Sequence, residues 1–170
     1  MTPMTPMTPM TPMTPNTLRV AIIGGGAAGL MAAETLLDRG IAVDIHDSMP
    51  SLGRKFLMAG KSGLNLTHTE PEAVFLQRFG AARARLEPAL TAFDPAAIRA
   101  WAEGLGIDTF VGSSGRVFPV DFKAAPLLRR WLHLLRHRGA SIHVRHKWRG
   151  WAADGALVFA TPQGEARIRA

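Results

Sequence analysis

The feature that most constrains the fold is a glycine-rich turn between a strand-like and a helix-like segment. The turn reads Gly24-Gly25-Gly26-Ala27-Ala28-Gly29, a G-x-G-x-x-G pattern. Before it, Leu18 to Ile23 is mostly apolar and partly β-branched, which is typical of a strand buried on both faces of a parallel sheet. After it, apolar residues recur at helical spacing from Ala27 to Arg39, and Gly40 is placed to end the helix. The sequence therefore predicts a strand, a tight turn and a helix in direct succession.

A second strand pattern, Ile41 to His46, completes a βαβ unit that extends from Leu18 to Asp47. Such crossovers are right-handed in nearly all known proteins, and they make the two strands parallel. Asp47 stands eighteen residues after Gly29, at the end of the second strand. A carboxylate at this position can accept hydrogen bonds from ribose hydroxyls.

Each part of this βαβ unit has a known role in dinucleotide-binding sites. Gly24 permits the tight turn, Gly26 lets a pyrophosphate approach the backbone, and Gly29 allows the helix to pack closely on the strand. The free N–H groups and the positive dipole end of the helix then face the phosphates. Asp47 disfavours NADP because a carboxylate repels a 2′-phosphate. FAD and NAD carry the same ADP moiety, so the unit alone leaves both open.

Two further blocks resemble one family of bacterial flavoproteins. Gly53-Arg54-Lys55 with Asn65-Leu66-Thr67 is similar to the Gly-Arg-Lys and Asn-x-Thr signature that follows the first βαβ unit in that family. The segment Gly115 to Val120, followed by Lys123-Ala124-Ala125, is similar to its Gly-Arg-x-Phe-Pro segment ahead of a helix. From Leu18 onward the chain thus resembles the NAD(P)/FAD-dependent oxidoreductases that include BaiN-like reductases and proteins called aminoacetone oxidases.

The resemblance implies FAD as the cofactor and an α/β, Rossmann-like FAD-binding domain of the glutathione-reductase type, with a parallel sheet. It places the ADP half at the glycine turn and Asp47, the Gly-Arg-Lys block beside it, and the Asn-x-Thr residues at the flavin end. The predicted cofactor-binding residues are Gly24, Gly25, Gly26, Ala27, Ala28, Gly29, Asp47, Gly53, Arg54, Lys55, Asn65 and Thr67. The family's chains are longer, so residues 17–170 are expected to be the N-terminal portion of the domain, incomplete at its C-terminus.

The reaction is less constrained than the cofactor. The resemblance implies an FAD-dependent oxidoreductase with NAD(P)H as a candidate electron donor, while the substrate, the catalytic residues and the oligomeric state stay open. Many family members have Gly-Arg-Cys-Asn where this chain reads Ser62-Gly63-Leu64-Asn65, which indicates a subgroup. The fragment alone is expected to be inactive as an oxidoreductase. Two alternatives stay open: an NAD-binding dehydrogenase domain, and a non-catalytic nucleotide-binding fragment.

The rest of the chain gives a coarser prediction. Residues 1–16, with five Met-Thr-Pro repeats, are expected to form a disordered tail, because proline removes a backbone donor at every third position. Three later helices are predicted, at Pro71 to Phe79, Pro95 to Leu105 and Ala124 to Arg138. The predicted strands are a short pair within Gly112 to Phe122, and Ser141 to His146 joined to Ala156 to Thr161 by a turn at Asp154-Gly155.

Composition excludes several function classes. There is no cysteine, which excludes disulfides, thiolate zinc sites and thiolate-held iron–sulfur clusters. The net charge is +7, but the basic residues are scattered without interleaved aromatics, so no nucleic-acid partner is predicted. No segment reads as a membrane span or a secretory signal, and the cytoplasm is expected.

Two histidine pairs have spacings that could suit a metal, but no metal site is predicted. His133 and His137 share one helical face but lack the glutamate of a zinc hydrolase, which favours a solvated face. His143 and His146 are three apart on a predicted strand, where alternate side chains point to opposite sides.

Overall fold

The protein is represented by a computed structural model that describes residues 18–169. The disordered tail predicted over residues 1–16 lies outside the described residues. The strands are β1 (Arg19–Ile23), β2 (Ala42–Asp47), β3 (Thr67–His68), β4 (Thr109–Val111), β5 (Arg116–Pro119), β6 (Ser141–Val144), β7 (Lys147–Trp151), β8 (Leu157–Thr161) and β9 (Gly164–Ile168). The α-helices are α1 (Ala27–Leu37), α2 (Arg54–Ala59), α3 (Glu72–Gln77), α4 (Arg83–Ala92), α5 (Pro95–Gly104) and α6 (Ala124–His137), with a 3₁₀ turn at Gly80–Ala82.

The central element is a parallel sheet in the order β1-β2-β6. β1, α1 and β2 form the predicted βαβ crossover, and the α/β class with a parallel sheet is confirmed. β2 lies between the other two strands and is buried from Val43 to His46. Alternate residues of a strand face opposite sides of its sheet, so β2 presents Val43 and Ile45 to one layer and Asp44 and His46 to another.

The helical layer contains the main apolar core. Val43 and Ile45 pack with buried residues of α1 and α6 and with the end of α5. The predicted apolar stripe of α6, formed by Leu127, Leu128, Trp131 and Leu135, is buried as expected. Burying a side chain of this size contributes about 1.5–3 kcal/mol, so this face fixes the helices on the sheet.

The opposite face of the parallel sheet is covered by an antiparallel sheet in the order β7-β8-β9. Phe159 of β8 is fully buried and stacks on the imidazole of His46, with ring centroids 4.5 Å apart. The second layer therefore packs on a strand face that carries polar side chains.

A third sheet, β3-β5-β4, is antiparallel and stands apart from the crossover. The strand pair predicted between Gly112 and Phe122 is present as β4 and β5, although β4 begins earlier, at Thr109. β3 pairs Thr67 with Val117 of β5, which brings together the two blocks that resemble the flavoprotein family.

Several elements differ from the prediction. The loop-rich stretch after Pro50 contains α2, and the helix α4 was not predicted. The turn at Asp154-Gly155 joins β7 to β8, whereas the sequence predicts that it joins the strand at Ser141 to the strand at Ala156. The sequence does not predict β7, because most of its residues are polar or exposed and give no apolar strand pattern. The strand predicted to reach His146 ends at Val144, because Arg145 adopts a left-handed conformation with φ of 58°.

Candidate functional site

The glycine turn ends in a helix whose first amides are free of side-chain caps. Gly24 has a φ of 103°, which favours glycine, and its N–H donates to the carbonyl of His46 at 2.8 Å. The N-cap of α1 is Gly26, whose extended backbone offers no capping side chain. The first N–H groups of an α-helix have no partner within the helix, so they can bind an anion in front of Gly26.

The glycines of the turn serve different purposes. A Cβ at Gly29 would overlap the carbonyl oxygen of Gly24, and one at Gly25 would overlap Cδ2 of Leu52. Gly29 is required by the packing of the chain itself because the obstacle is backbone, whereas a side chain at Gly25 would require Leu52 to shift. A Cβ at Gly26, in contrast, would have no atom of the described chain within 4 Å. The open space at Gly26 lies where the predicted pyrophosphate would approach.

Asp47 is fixed at the carboxyl end of β2 by two backbone amides. One carboxylate oxygen accepts a hydrogen bond from the Gly25 N–H and the other from the Met49 N–H, each at 2.7 Å. A carboxylate has about four lone-pair positions, so it can still accept from ribose hydroxyls. The acid is therefore held beside the glycine turn with acceptor capacity to spare.

A cavity of about 230 Å³ lies between the turn, Asp47 and the start of α2. Its lining residues are Gly25, Gly26, Asp47, Met49, Ser51, Gly53, Arg54 and Lys55. The structure thus brings five of the predicted residues from two separate blocks to one cavity together with Asp47. A larger cavity of about 500 Å³ lies between α5 and α6, but it contains none of the predicted residues, so volume alone does not locate the site.

The Gly-Arg-Lys block is joined to the glycine turn through its backbone. The N–H of Gly53 donates to the carbonyl of Gly25 at 2.8 Å. Gly53 has a φ of 67°, and a Cβ there would overlap the side chain of Leu128 on α6. Glycine at this position lets α2 begin against α6, which leaves Arg54 and Lys55 exposed at the cavity.

Asn65 and Thr67 do not line this cavity. Thr67 lies in β3 and is buried, and its Oγ1 has no hydrogen-bond partner among the described residues. Asn65 is exposed; in its hydrogen-bonded orientation its amide donates to the carbonyls of Thr67 at 2.8 Å and Val117 at 3.3 Å. Their placement at the flavin end stays a prediction.

Three histidines come together on the face of β2 that packs against the β7-β8-β9 sheet. The prediction that His143 and His146 point to opposite sides is therefore wrong. Because Arg145 breaks the strand alternation, both side chains approach His46, and one nitrogen of each lies within 4.8 Å of the others. Burial, together with the positive charge that His143 and His146 can carry, lowers the pKa of His46 to about 4. Burial and His143 also lower the pKa of His146. Sequence spacing could not reveal this cluster, since it depends on the pairing of β2 with β6.

Asp44 lies next to this cluster. Burial acts to raise the pKa of its carboxyl, but hydrogen bonds from Arg19 and His143 outweigh burial and lower the pKa. His133 and His137 lie elsewhere, exposed on α6, as the sequence predicted.

A βαβ crossover, a glycine turn at an uncapped helix N-terminus and an acid ending the second strand together define a Rossmann-type dinucleotide-binding domain. The model of the HI0933-like protein Rossmann domain matches residues 18–170. The chain therefore belongs to the HI0933-like family, which confirms the resemblance drawn from the two sequence blocks. No curated protein matches the chain significantly.

Solved structures share the fold at low identity. THI4 of Thermovibrio ammonificans is 17% identical with a TM-score of 0.56, and the match covers 90% of this chain and 53% of that one. The 3-ketosteroid-Δ4-(5α)-dehydrogenase of Rhodococcus jostii RHA1 is 13% identical with a TM-score of 0.63, covering 95% and 46%. A flavocytochrome c3 fumarate reductase is 15% identical with a TM-score of 0.56, covering 89% and 32%. The chain thus spans about half or less of the length of these structures. Between residues 18 and 169, no helix is long and apolar enough to cross a membrane.

Proposed function

We propose that the chain binds FAD through the glycine turn and Asp47, and that the full-length protein is an FAD-dependent oxidoreductase. The observation that carries the proposal is the open space at Gly26, in front of the uncapped start of α1 and beside the fixed carboxylate of Asp47. The start of α1 suits the negatively charged pyrophosphate of an ADP moiety, and the carboxylate of Asp47 suits its ribose hydroxyls.

In this proposal the chain binds and orients the cofactor. The amides of Ala27 and Ala28 face the pyrophosphate, and Asp47 accepts from the ribose hydroxyls. Arg54 and Lys55 supply positive charge at the same cavity. When bound, FAD supplies the electron-transfer chemistry, as flavins do in other enzymes.

Flavin is favoured over nicotinamide by evidence beyond the ADP site. The two blocks that resemble the flavoprotein family are distant in the sequence but paired through β3 and β5. One structure of the same fold is a flavocytochrome, and another is a dehydrogenase. We further propose NAD(P)H as the electron donor, a small-molecule substrate whose class is open, no nucleic-acid partner and a cytoplasmic location.

The test is the visible absorption spectrum of the purified full-length protein, with Gly26→Val and Asp47→Ala beside it. We expect a flavin spectrum that is lost or weakened in both variants. Matched controls are Gly104→Val, which also changes a glycine with open space and an ordinary φ, and Asp38→Ala, an exposed acid at the other end of α1. Both controls should retain the flavin.

A full-length protein that purifies colourless and takes up no added flavin would overturn the proposal. Binding of NAD by that protein would then favour the NAD-binding dehydrogenase. Binding of neither nucleotide would favour a non-catalytic domain.

A further inference from the structure

We propose that His46, His143 and His146 form a binding site for a divalent transition-metal ion that prefers imidazole, such as Zn²⁺. One nitrogen of each residue lies within 4.8 Å of the others. The cluster lies between the parallel sheet and the β7-β8-β9 sheet, and none of its residues lines the cavity at the glycine turn. Its side chains have no part in the proposed flavin binding.

The fold places these residues by three separate means. β2 and β6 pair in parallel with His46 opposite His143, so both side chains lie on the same face of the sheet. The left-handed Arg145 then turns the chain back toward β2. The N–H of His146 donates to the carbonyl of Asp47 at 2.8 Å, which fixes the backbone of the third histidine.

Two of the nitrogens already stand at the separation that a metal requires. The Nδ1 atoms of His46 and His146 are 3.2 Å apart. Two imidazole nitrogens bound tetrahedrally to one Zn²⁺ at about 2.0–2.1 Å lie about 3.3–3.4 Å apart. Without an ion, one of these facing nitrogens must carry a proton to make a hydrogen bond; with an ion, both lone pairs are used.

The third histidine has the carboxylate partner that is common behind metal-bound imidazoles. Nε2 of His143 lies 3.4 Å from a carboxylate oxygen of Asp44, whose other oxygen accepts from Arg19 at 2.6 Å. A histidine that binds a metal through one nitrogen usually donates its other N–H to a carboxylate or a carbonyl. This arrangement leaves Nδ1 of His143 free for the ion.

His143 must tilt to complete the site. Its ring is stacked on His46, with centroids 4.5 Å apart and an angle of 9° between the planes. The lone pair of an imidazole lies in the ring plane, so a stacked ring does not point at the ion. The side chain of His143 is 37% exposed and β6 is an edge of the parallel sheet, so the ring has room to turn.

The chemistry of the cluster selects the class of ion. His46 is only 1% exposed, and its Nε2 has no hydrogen-bond partner among the described residues. Imidazole binds a metal in its neutral form, through the lone pair of a ring nitrogen. Neutral nitrogen ligands suit zinc, copper and nickel and are poor ligands for magnesium and calcium.

The experiment is a Zn²⁺ titration of the full-length protein after its metal is removed with a chelator, followed by competition with a chromophoric chelator. We expect one Zn²⁺ per chain and no comparable binding of Mg²⁺. His143→Gln and His146→Gln should each abolish this tight binding, and both positions are partly exposed, so the fold should survive. Asp44→Asn should weaken binding by about 10- to 100-fold, because it removes the carboxylate behind His143.

The matched control is the double variant His133→Gln/His137→Gln, which removes the exposed histidine pair of α6 and should leave Zn²⁺ binding unchanged. Circular dichroism of each variant establishes that it is folded. The proposal is overturned if the wild-type protein binds no stoichiometric Zn²⁺. It is equally overturned if folded His143→Gln and His146→Gln bind as tightly as wild type, or if the α6 double variant abolishes binding.

Discussion

Alanine substitutions at two glycines of the turn should have different effects. Gly26→Ala should weaken flavin binding, and Gly29→Ala should lower the unfolding free energy. Gly26 has a φ of −80°, which alanine adopts readily, and its Cβ would meet no atom of the described chain within 4 Å. At Gly29 the added Cβ would overlap the backbone carbonyl of Gly24, which no side-chain rotation can relieve. The added methyl group therefore occupies space proposed for the cofactor at Gly26, and it collides with the backbone at Gly29.

The magnitudes follow from what each methyl group displaces. For Gly26→Ala, the loss of helix-capping preference and the stiffer unfolded chain act in opposite directions, so the unfolding free energy should change by less than about 1 kcal/mol. Loss of one hydrogen bond to a phosphate removes about 1.5–3 kcal/mol. At about 1.4 kcal/mol per tenfold, the flavin Kd should rise roughly 10- to 100-fold. For Gly29→Ala, overpacking should lower the unfolding free energy by about 1–3 kcal/mol or more.

Two assays on the full-length protein check these values. Urea unfolding of the flavin-free protein, followed by far-ultraviolet circular dichroism, gives the unfolding free energy, and quenching of flavin fluorescence gives the Kd. Gly104→Ala is the control, because Gly104 also has open space and, at the end of α5, does not line the cavity at the turn. The reasoning is refuted if Gly26→Ala binds flavin as tightly as wild type, or if it destabilises the protein as much as Gly29→Ala.

Two further substitutions test the packing around the site. Glu34 is buried on α1, where one carboxylate oxygen accepts from the indole N–H of Trp131 at 2.6 Å and of Trp101 at 3.2 Å. Glu34→Leu leaves both indole N–H groups without an acceptor, and we expect the unfolding free energy measured in urea to fall by about 3 kcal/mol. Gly53→Ala places a methyl group against Leu128 in a left-handed conformation, so it should destabilise the protein by about 1–3 kcal/mol in the same assay and weaken flavin binding.

A control variant is available for Glu34→Leu, and a contradicting outcome can be stated for each substitution. Asp38→Ala removes an exposed acid that pairs with Arg138 one turn from Glu34, and it should change stability by less than about 1 kcal/mol. If Glu34→Leu is no more harmful than Asp38→Ala, the indole hydrogen bonds contribute little. An unchanged unfolding midpoint in Gly53→Ala would mean that the left-handed glycine is not needed there.

The βαβ unit and α6 could be predicted because their signals are local. The strand, turn and helix from Leu18 to Arg39 follow one another directly, and the apolar stripe of α6 repeats within the helix itself. The prediction was less accurate at the boundaries. The helix predicted to reach Arg39 ends at Leu37, and the strand predicted from Ile41 begins at Ala42. Local periodicity indicates which residues form an element, while the hydrogen bonds of its ends decide where it stops.

The histidine cluster and the pairing of the two family-like blocks could not be predicted in this way. His46 and His146 are 100 positions apart, and His68 meets the carbonyl of Ser114 from 46 positions away. These contacts exist because β2 pairs with β6 and β3 with β5, and neither pairing leaves a periodic pattern in the sequence. The rule that residues three apart on a strand face opposite sides fails at His143 and His146, since the strand ends between them.

β2 connects these findings, because its backbone and its side chains serve three different neighbours. Val43 and Ile45 hold the helical layer, and Asp44 and His46 face the second sheet. At its end, the carbonyl of His46 accepts from Gly24 of the glycine turn, and the carbonyl of Asp47 accepts from His146. Polar residues in the buried middle of a parallel strand are unfavourable for packing alone. The proposed metal site gives both polar residues of β2 a role, because His46 is one of its ligands and Asp44 lies behind His143.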